Sequence, residues 1–241
     1  MSAMDGFAWS LLAAAAGVAL THTLLGPDHY LPFLMLSKAG RWSRARTVAV
    51  TLACGAGHVL SSLLLGLGGL GLGVAVSRLE QVERMRGDLA AWALIAFGAA
   101  YAAWGVRRGL RRSRDLEAHA HGAHVHVHAG SSHPHEHAGE PGHSRGGSAT
   151  TFWVLFTIFV LGPCEPLIPL FVLPASRGRW DLALSAALLF GILTLATMTA
   201  ATLLFMAGLR RLPFGFLDRW AHALAGAVVG ASGLAVVALG L

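Results

Sequence analysis

At 241 residues, with 55% hydrophobic and only 12% charged side chains and a mean hydropathy of +0.60, the chain is too apolar for an ordinary soluble domain. It is predicted to be an integral membrane protein. The net charge of +6 and pI near 10.6 would fit a nucleic-acid partner, but the basic residues gather at the ends of apolar segments, as membrane topology requires, so lipid and not nucleic acid is the expected surroundings.

Thirty glycines without collagen periodicity fit close helix packing in lipid. Cys54 and Cys164 both lie in apolar segments, which excludes a secreted disulfide scaffold. Asp5 and the absence of Lys or Arg before the first apolar run argue against a cleaved signal peptide.

Apolar runs of spanning length fall at roughly 7 to 36, 47 to 76, 89 to 106, 150 to 175, 181 to 209 and 220 to 240. The fold class expected is therefore all-α and integral to the membrane, with six transmembrane helices. Lys38, Arg41, Arg44, Arg46, Arg107, Arg108, Arg111, Arg112, Arg114, Arg145, Arg210, Arg211 and Arg219 follow spans one, three and five. Only Arg78, Arg84, Arg86, Arg177 and Arg179 fall on the other side. Thirteen against five places the first, third and fifth connections in the cytoplasm and both termini outside, in the inner (cytoplasmic) membrane.

The first span is interrupted where it should run unbroken. It reads THTLLGPDHYLPF: Gly26-Pro27 breaks helical hydrogen bonding, Pro32 breaks it again, and Asp28 and His29 lie between the breaks. Ionisable groups on broken backbone at membrane depth are tolerated where they line a cavity or bind something. His22, Asp28 and His29 have the spacing His-x5-Asp-His. On a continuous helix His22 and His29 would stand about 10 Å apart along the axis, too far to share an ion, so the Gly-Pro break must fold them together. Span two adds His58 in GAGHVLSS, beside Ser61 and Ser62.

Between roughly Arg107 and Ser148 the chain turns polar and carries His119, His121, His124, His126, His128, His133, His135, His137 and His143. Such a stretch buries too little apolar area to fold alone and is expected to be a disordered cytoplasmic loop, 107–149, that binds transition metals loosely and offers a contact for a metal chaperone.

Sliding the sequence by 136 residues lays Leu25-Gly26-Pro27 on Leu161-Gly162-Pro163, Leu31 on Leu167 and Gly55 on Gly191. Asp28-His29 falls on Cys164-Glu165. A shift of 132 lays Gly98-Ala99 on Gly230-Ala231. Two three-span repeats follow, 1–106 and 150–241, entering the membrane in opposite senses because three is odd, each opening with a broken helix. A twofold axis would bring Cys164-Glu165 opposite Asp28-His29 near the midplane. That predicts a metal set of His22, Asp28, His29, His58, Cys164 and Glu165, wrong for magnesium or calcium and right for late first-row divalent ions. Thr194, Thr197 and Thr199 occupy the region matching His58 to Ser62. His222, and Trp42, Trp92, Trp104, Trp153, Trp180 and Trp220, read as residues of the interface.

THTLLGPDHYLPF, GAGHVLSS, the His-rich loop and LGPCEPLIP together resemble the nickel/cobalt permease superfamily, particularly its urease-accessory-type nickel transporters. The resemblance places the family's histidine and Asp-His motif on His22, Asp28 and His29, and its Gly-His on Gly57-His58. It implies a transporter rather than an enzyme, with nickel or cobalt as the transported substrate and zinc as a further fit. Cys164-Glu165 stands where the permease branch has an acid- and threonine-rich motif. The Gly-Pro-Cys-x-Pro-Leu-x-Pro pattern also looks like the membrane domain of thiol-disulfide electron carriers. That similarity implies electron transfer through Cys54 and Cys164, although Cys54 falls on Phe190 in the repeat and the pair is not symmetric.

Overall fold

The structure, a computed structural model, describes residues 6–114, 119–121, 124–126, 145–210 and 220–239. Among these it is helical apart from one pair of three-residue strands. The helices are α1 (Gly6–Leu25), α2 (Leu31–Ala39), α3 (Arg44–Gly71), α4 (Val76–Arg114), α5 (Arg145–Leu161), α6 (Leu167–Ser176), α7 (Trp180–Arg210) and α8 (Ala221–Leu239), and a single 3₁₀ turn, Pro27–His29, joins α1 to α2. Five of them, α1, α3, α4, α7 and α8, are long and apolar enough to cross a membrane.

The fourth expected span, 150–175, is instead two shorter apolar helices, α5 and α6, separated by the Gly162–Pro166 break. Each half of the chain therefore opens on a broken helix pair and continues with two long helices. Pro32 does not break the first pair a second time. It lies in the first turn of α2, where its missing N–H has no intrahelical partner to lose. Gly73 and Gly178, at φ +66° and +75°, close α3 and α6 in the left-handed conformation that glycine takes without strain.

The third span is longer than its apolar run. Residues 77–88 and 107–114 read as connections because they are charged, yet α4 runs through both. Leu, Glu, Gln, Arg and Met are strong helix formers, and charge alone does not end a helix. Two charged residues thereby enter the bundle: Glu83 is fully buried and Arg86 largely so.

Small residues set the closest helix contacts. A Cβ on Gly98 would overlap the backbone of Gly230 and Gly226, one on Gly105 that of Ala223, and one on Gly226 that of Ala102. These positions make a backbone-to-backbone seam between α4 and α8. Between α3 and α7, Gly55 faces Leu195 and Gly191 faces Val59. The two breaks exchange neighbours, the 3₁₀ turn packing on α8 and α6 on α4.

In the polar segment, His119–His121 and His124–His126 pair antiparallel, with His119 opposite His126 and His121 opposite His124. His128, His133, His135, His137 and His143 lie outside the described residues. Among the tryptophans, Trp92, Trp104, Trp153 and Trp180 are exposed as expected of interfacial anchors. Trp42 is not: it is buried in the cluster of Phe33, Leu36 and Met198, with the Arg46 guanidinium over its ring.

Candidate metal centre

The Gly26-Pro27 break does what the spacing demanded. α1 ends at Leu25, and the 3₁₀ turn carries His29 back beside His22, with ring centroids 4.8 Å apart. His58 arrives from the middle of α3, its ring 5.2 Å from that of His29 and 6.5 Å from that of His22. One ring nitrogen from each of the three lies within 4.8 Å of the other two.

The surroundings orient the imidazoles. His29 Nδ1 is 3.2 Å from the Gly26 carbonyl oxygen and 3.2 Å from Asp28 Oδ1. A carbonyl only accepts, so Nδ1 carries the proton and Nε2 is left with its lone pair. His58 packs its ring against that of Phe159, with centroids 6.4 Å apart, and its Nε2 is left without a partner. In all three histidines Nε2 is buried and has no hydrogen-bond partner. Buried polar atoms are nearly always satisfied, and three unpartnered imidazole nitrogens on neighbouring rings are the arrangement an electron-pair acceptor could occupy. Fixing one imidazole nitrogen against a carbonyl or carboxylate so that the other can ligate is the usual outer arrangement of metal-binding histidines. Donors bound at about 2.0–2.1 Å would stand roughly 3–3.5 Å apart, so a closure of about 1.5 Å would bring the triangle to bonding geometry.

These rings face a cavity of about 280 Å³, which Asp28, Glu165, Phe159, Gly162 and Pro163 also line. Glycine is required at one wall. A Cβ on Gly26 would fall on the His29 ring, 2.8 Å from Cε1.

Of the six residues expected to form the set, His22, Asp28, His29 and His58 are together, and Glu165 reaches the same cavity from the opposite break. Cys164 does not, which corrects the expectation that it joins them. It is fully buried among Leu167, Ile168, Phe171 and Phe190, because neighbouring residues in a tight turn project to different sides and its carbonyl and amide are engaged in starting α6 and bonding Glu83. Cys54 is also a buried free thiol, packed in a separate cluster with Phe159 and Met198. The hydroxyls of Thr194 and Thr199 are buried without partners but line neither break, and Thr197 lines an open apolar groove beside α1. His222 stands apart, its Nδ1 2.8 Å from the Tyr101 hydroxyl and its ring against Trp104.

Sequence reasoning missed Glu83 and Arg86. Glu83 accepts from the Ser62 hydroxyl at 3.0 Å and the Cys164 amide at 3.1 Å. Arg86 pairs with Glu83 and donates to the Val160 carbonyl at 2.6 Å and to Ser61 Oγ at 2.8 Å. Their i, i+3 spacing, which puts both on one helix face, was the available signal.

Comparison of the chain with protein-family models, with curated proteins and with solved structures finds no match.

Proposed function

We propose that the chain is a multi-pass carrier of the cytoplasmic membrane that moves a divalent transition-metal ion, nickel or cobalt by preference and zinc as a further fit, by alternating access. The observation that carries this reading is the clustering of three histidines, each with a buried, unpartnered Nε2, around one cavity within a bundle of apolar helices. Neutral imidazoles with nearby carboxylates suit late first-row ions better than hard cations. An imidazole site buried among membrane-length helices has an obvious use in passing such ions across.

The two halves are read as inverted repeats of three spans, the short pair α5–α6 making one crossing jointly. Support comes from paired contacts that a twofold relation would generate. With the 136-residue offset, Gly55 corresponds to Gly191 and Val59 to Leu195, and Gly55 meets Leu195 as Gly191 meets Val59. With the other offset, Gly98 corresponds to Gly230, and those two meet each other. Residue i touching j′ while j touches i′ is the mark of a twofold interface. Withdrawal of Arg86 into the bundle widens the Lys/Arg difference that puts both termini outside.

On this reading the ion sits between His22, His29 and His58, with Asp28 and Glu165 supplying negative charge from the two breaks, while the halves rock about it. Protons and the ion compete for the same imidazole lone pairs, which couples ion movement to proton movement in the opposite sense. The His-rich segment gathers ions or hands them to a chaperone at the cytoplasmic face. Membership of the nickel/cobalt permease superfamily is part of the proposal. Nothing in the arrangement favours the thiol relay, whose two cysteines occupy separate apolar clusters.

The test is flux. Purified protein in liposomes is expected to carry nickel and cobalt, to lose that flux with His29→Ala, and to keep it in a Cys54→Ser/Cys164→Ser variant. Absence of metal flux together with thiol reduction that needs both cysteines would refute the carrier reading.

A further inference from the structure

The two breaks are closed by different means. At the first, the chain closes on itself: the Gly26 amide donates to the His22 carbonyl, the His29 amide and ring to the Gly26 carbonyl, and the Tyr30 hydroxyl to the Leu24 carbonyl. At the second, the Val160 carbonyl and the Cys164 amide find their partners outside their own segment. Arg86 on α4 donates to the Val160 carbonyl, while Glu83 on α4 and Ser62 on α3 both accept from the Cys164 amide.

Four further observations tie this polar cluster to the ion site. Val160 follows Phe159, whose ring packs on that of His58. Cys164 precedes Glu165, which lines the cavity. Ser61 and Ser62 lie one turn beyond His58 on α3, and Ser61 Oγ accepts from the same Arg86 nitrogen that reaches Val160. Gly87, next to Arg86, lies so close to Pro163 that a Cβ would meet its ring at 2.7 Å. A fully buried carboxylate and a largely buried guanidinium are costly in apolar surroundings unless their bonds are complete. Here both Glu83 carboxylate oxygens accept and both terminal Arg86 nitrogens donate, and the pair engages Val160 before the break and Cys164 within it.

The geometry points to Glu83 and Arg86 as positioning residues for the ion site: by holding Val160 and Cys164 against α3 and α4, they keep Phe159 packed on the His58 ring and set Glu165 at the cavity wall. This rests on the metal-site reading above. Neither residue touches the ion; they determine whether His58 presents Nε2 and whether the second break is in place to close.

The test uses the full chain in detergent, with cobalt as probe. Removing one charge alone strands the other, so the double variant Glu83→Gln/Arg86→Met carries the experiment, with Arg86→Lys as the conservative change and Arg78→Met, an exposed α4 arginine that bonds Gln81, as control. The expected results for the double variant, at unchanged helical content, are three: cobalt affinity at least tenfold weaker, an altered visible absorption spectrum of the bound cobalt, and amide exchange of the metal-free protein at least tenfold faster across 159–167. Arg86→Lys keeps the charge but not the fork, and should recover part of the affinity. Arg78→Met should match wild type. A merely structural pair would alter stability while leaving affinity per folded molecule and the cobalt spectrum as in wild type, and that result overturns the inference. A wild type that takes up no cobalt overturns the site reading and this inference together, whereas equal binding by wild type and double variant overturns the inference alone.

Discussion

Replacing Gly26 with alanine adds one methyl group, and its consequence can be worked from the site. Gly26 sits at φ −82° and ψ 98°, a conformation alanine adopts freely, so the backbone is not strained. The new methyl meets the His29 ring, 2.8 Å from Cε1 and 3.0 Å from Asp28 Oδ1. Nδ1 lies closer still, so restoring an ordinary carbon contact near 3.5 Å moves the imidazole by at least about 0.7 Å or turns it. Either displaces Nε2 from its two fellow nitrogens and breaks the 3.2 Å contacts of Nδ1 with Gly26 and Asp28. Disturbing a ligand's outer partners typically costs about 10- to 100-fold in metal affinity, equivalent to about 1.4–2.8 kcal/mol. Global stability should change by no more than about 1 kcal/mol, since the alanine also restricts the unfolded chain. Calorimetric titration of purified protein with nickel, beside a thermal melt, separates the two quantities. Gly17→Ala, in α1 with open space around it, is the control. A Gly26→Ala protein that binds nickel as tightly as wild type would refute the proposed role of His29.

Three further outcomes are expected. Nickel and cobalt binding should weaken as pH falls from 7.5 to 5.5, because protons compete for an imidazole lone pair, with a drop of up to about tenfold per pH unit for one proton released; binding that strengthens as pH falls would contradict the histidine site. The Cys54→Ser/Cys164→Ser protein should bind cobalt with wild-type affinity but unfold more easily by about 1–3 kcal/mol, from placing hydroxyls in buried apolar clusters; chemical denaturation and titration measure the two effects. Gly98→Leu should prise α4 from α8 and destabilise the protein by about 1–3 kcal/mol or more through overpacking, and a melt that does not move would show that the glycine seam is not tight.

Much of the centre was legible because it is chemically anomalous. Gly-Pro followed by Asp-His inside an apolar run has no cheap explanation in lipid, and the 10 Å helical separation of His22 and His29 made folding at the break a requirement before any coordinates. His58 was legible for the same reason. What escaped the sequence was anything whose meaning depends on direction. Cys164 and Glu165 are adjacent and look equivalent, but only one faces the cavity, a choice made by packing of Leu167, Phe171 and Phe190 around the thiol. Glu83 and Arg86 look like solvated charges of a connection. Their burial follows from α4 beginning at Val76, a length set by helix propensity that a hydropathy window reads as a loop. Trp42 has the position of an interfacial anchor, but the turn between α2 and α3 folds it inward over Gly40, with its amide donating to the Ser37 carbonyl.

The most direct measurement is X-ray absorption of nickel bound to the full chain in which the nine histidines between His119 and His143 are replaced by asparagine, so that only the central site can report. The account predicts one tightly held nickel with the outer-shell scattering of about three imidazoles, no sulfur neighbour, and loss of one imidazole's contribution in His58→Ala. A spectrum with sulfur in the first shell, or one without imidazole scattering, would contradict it.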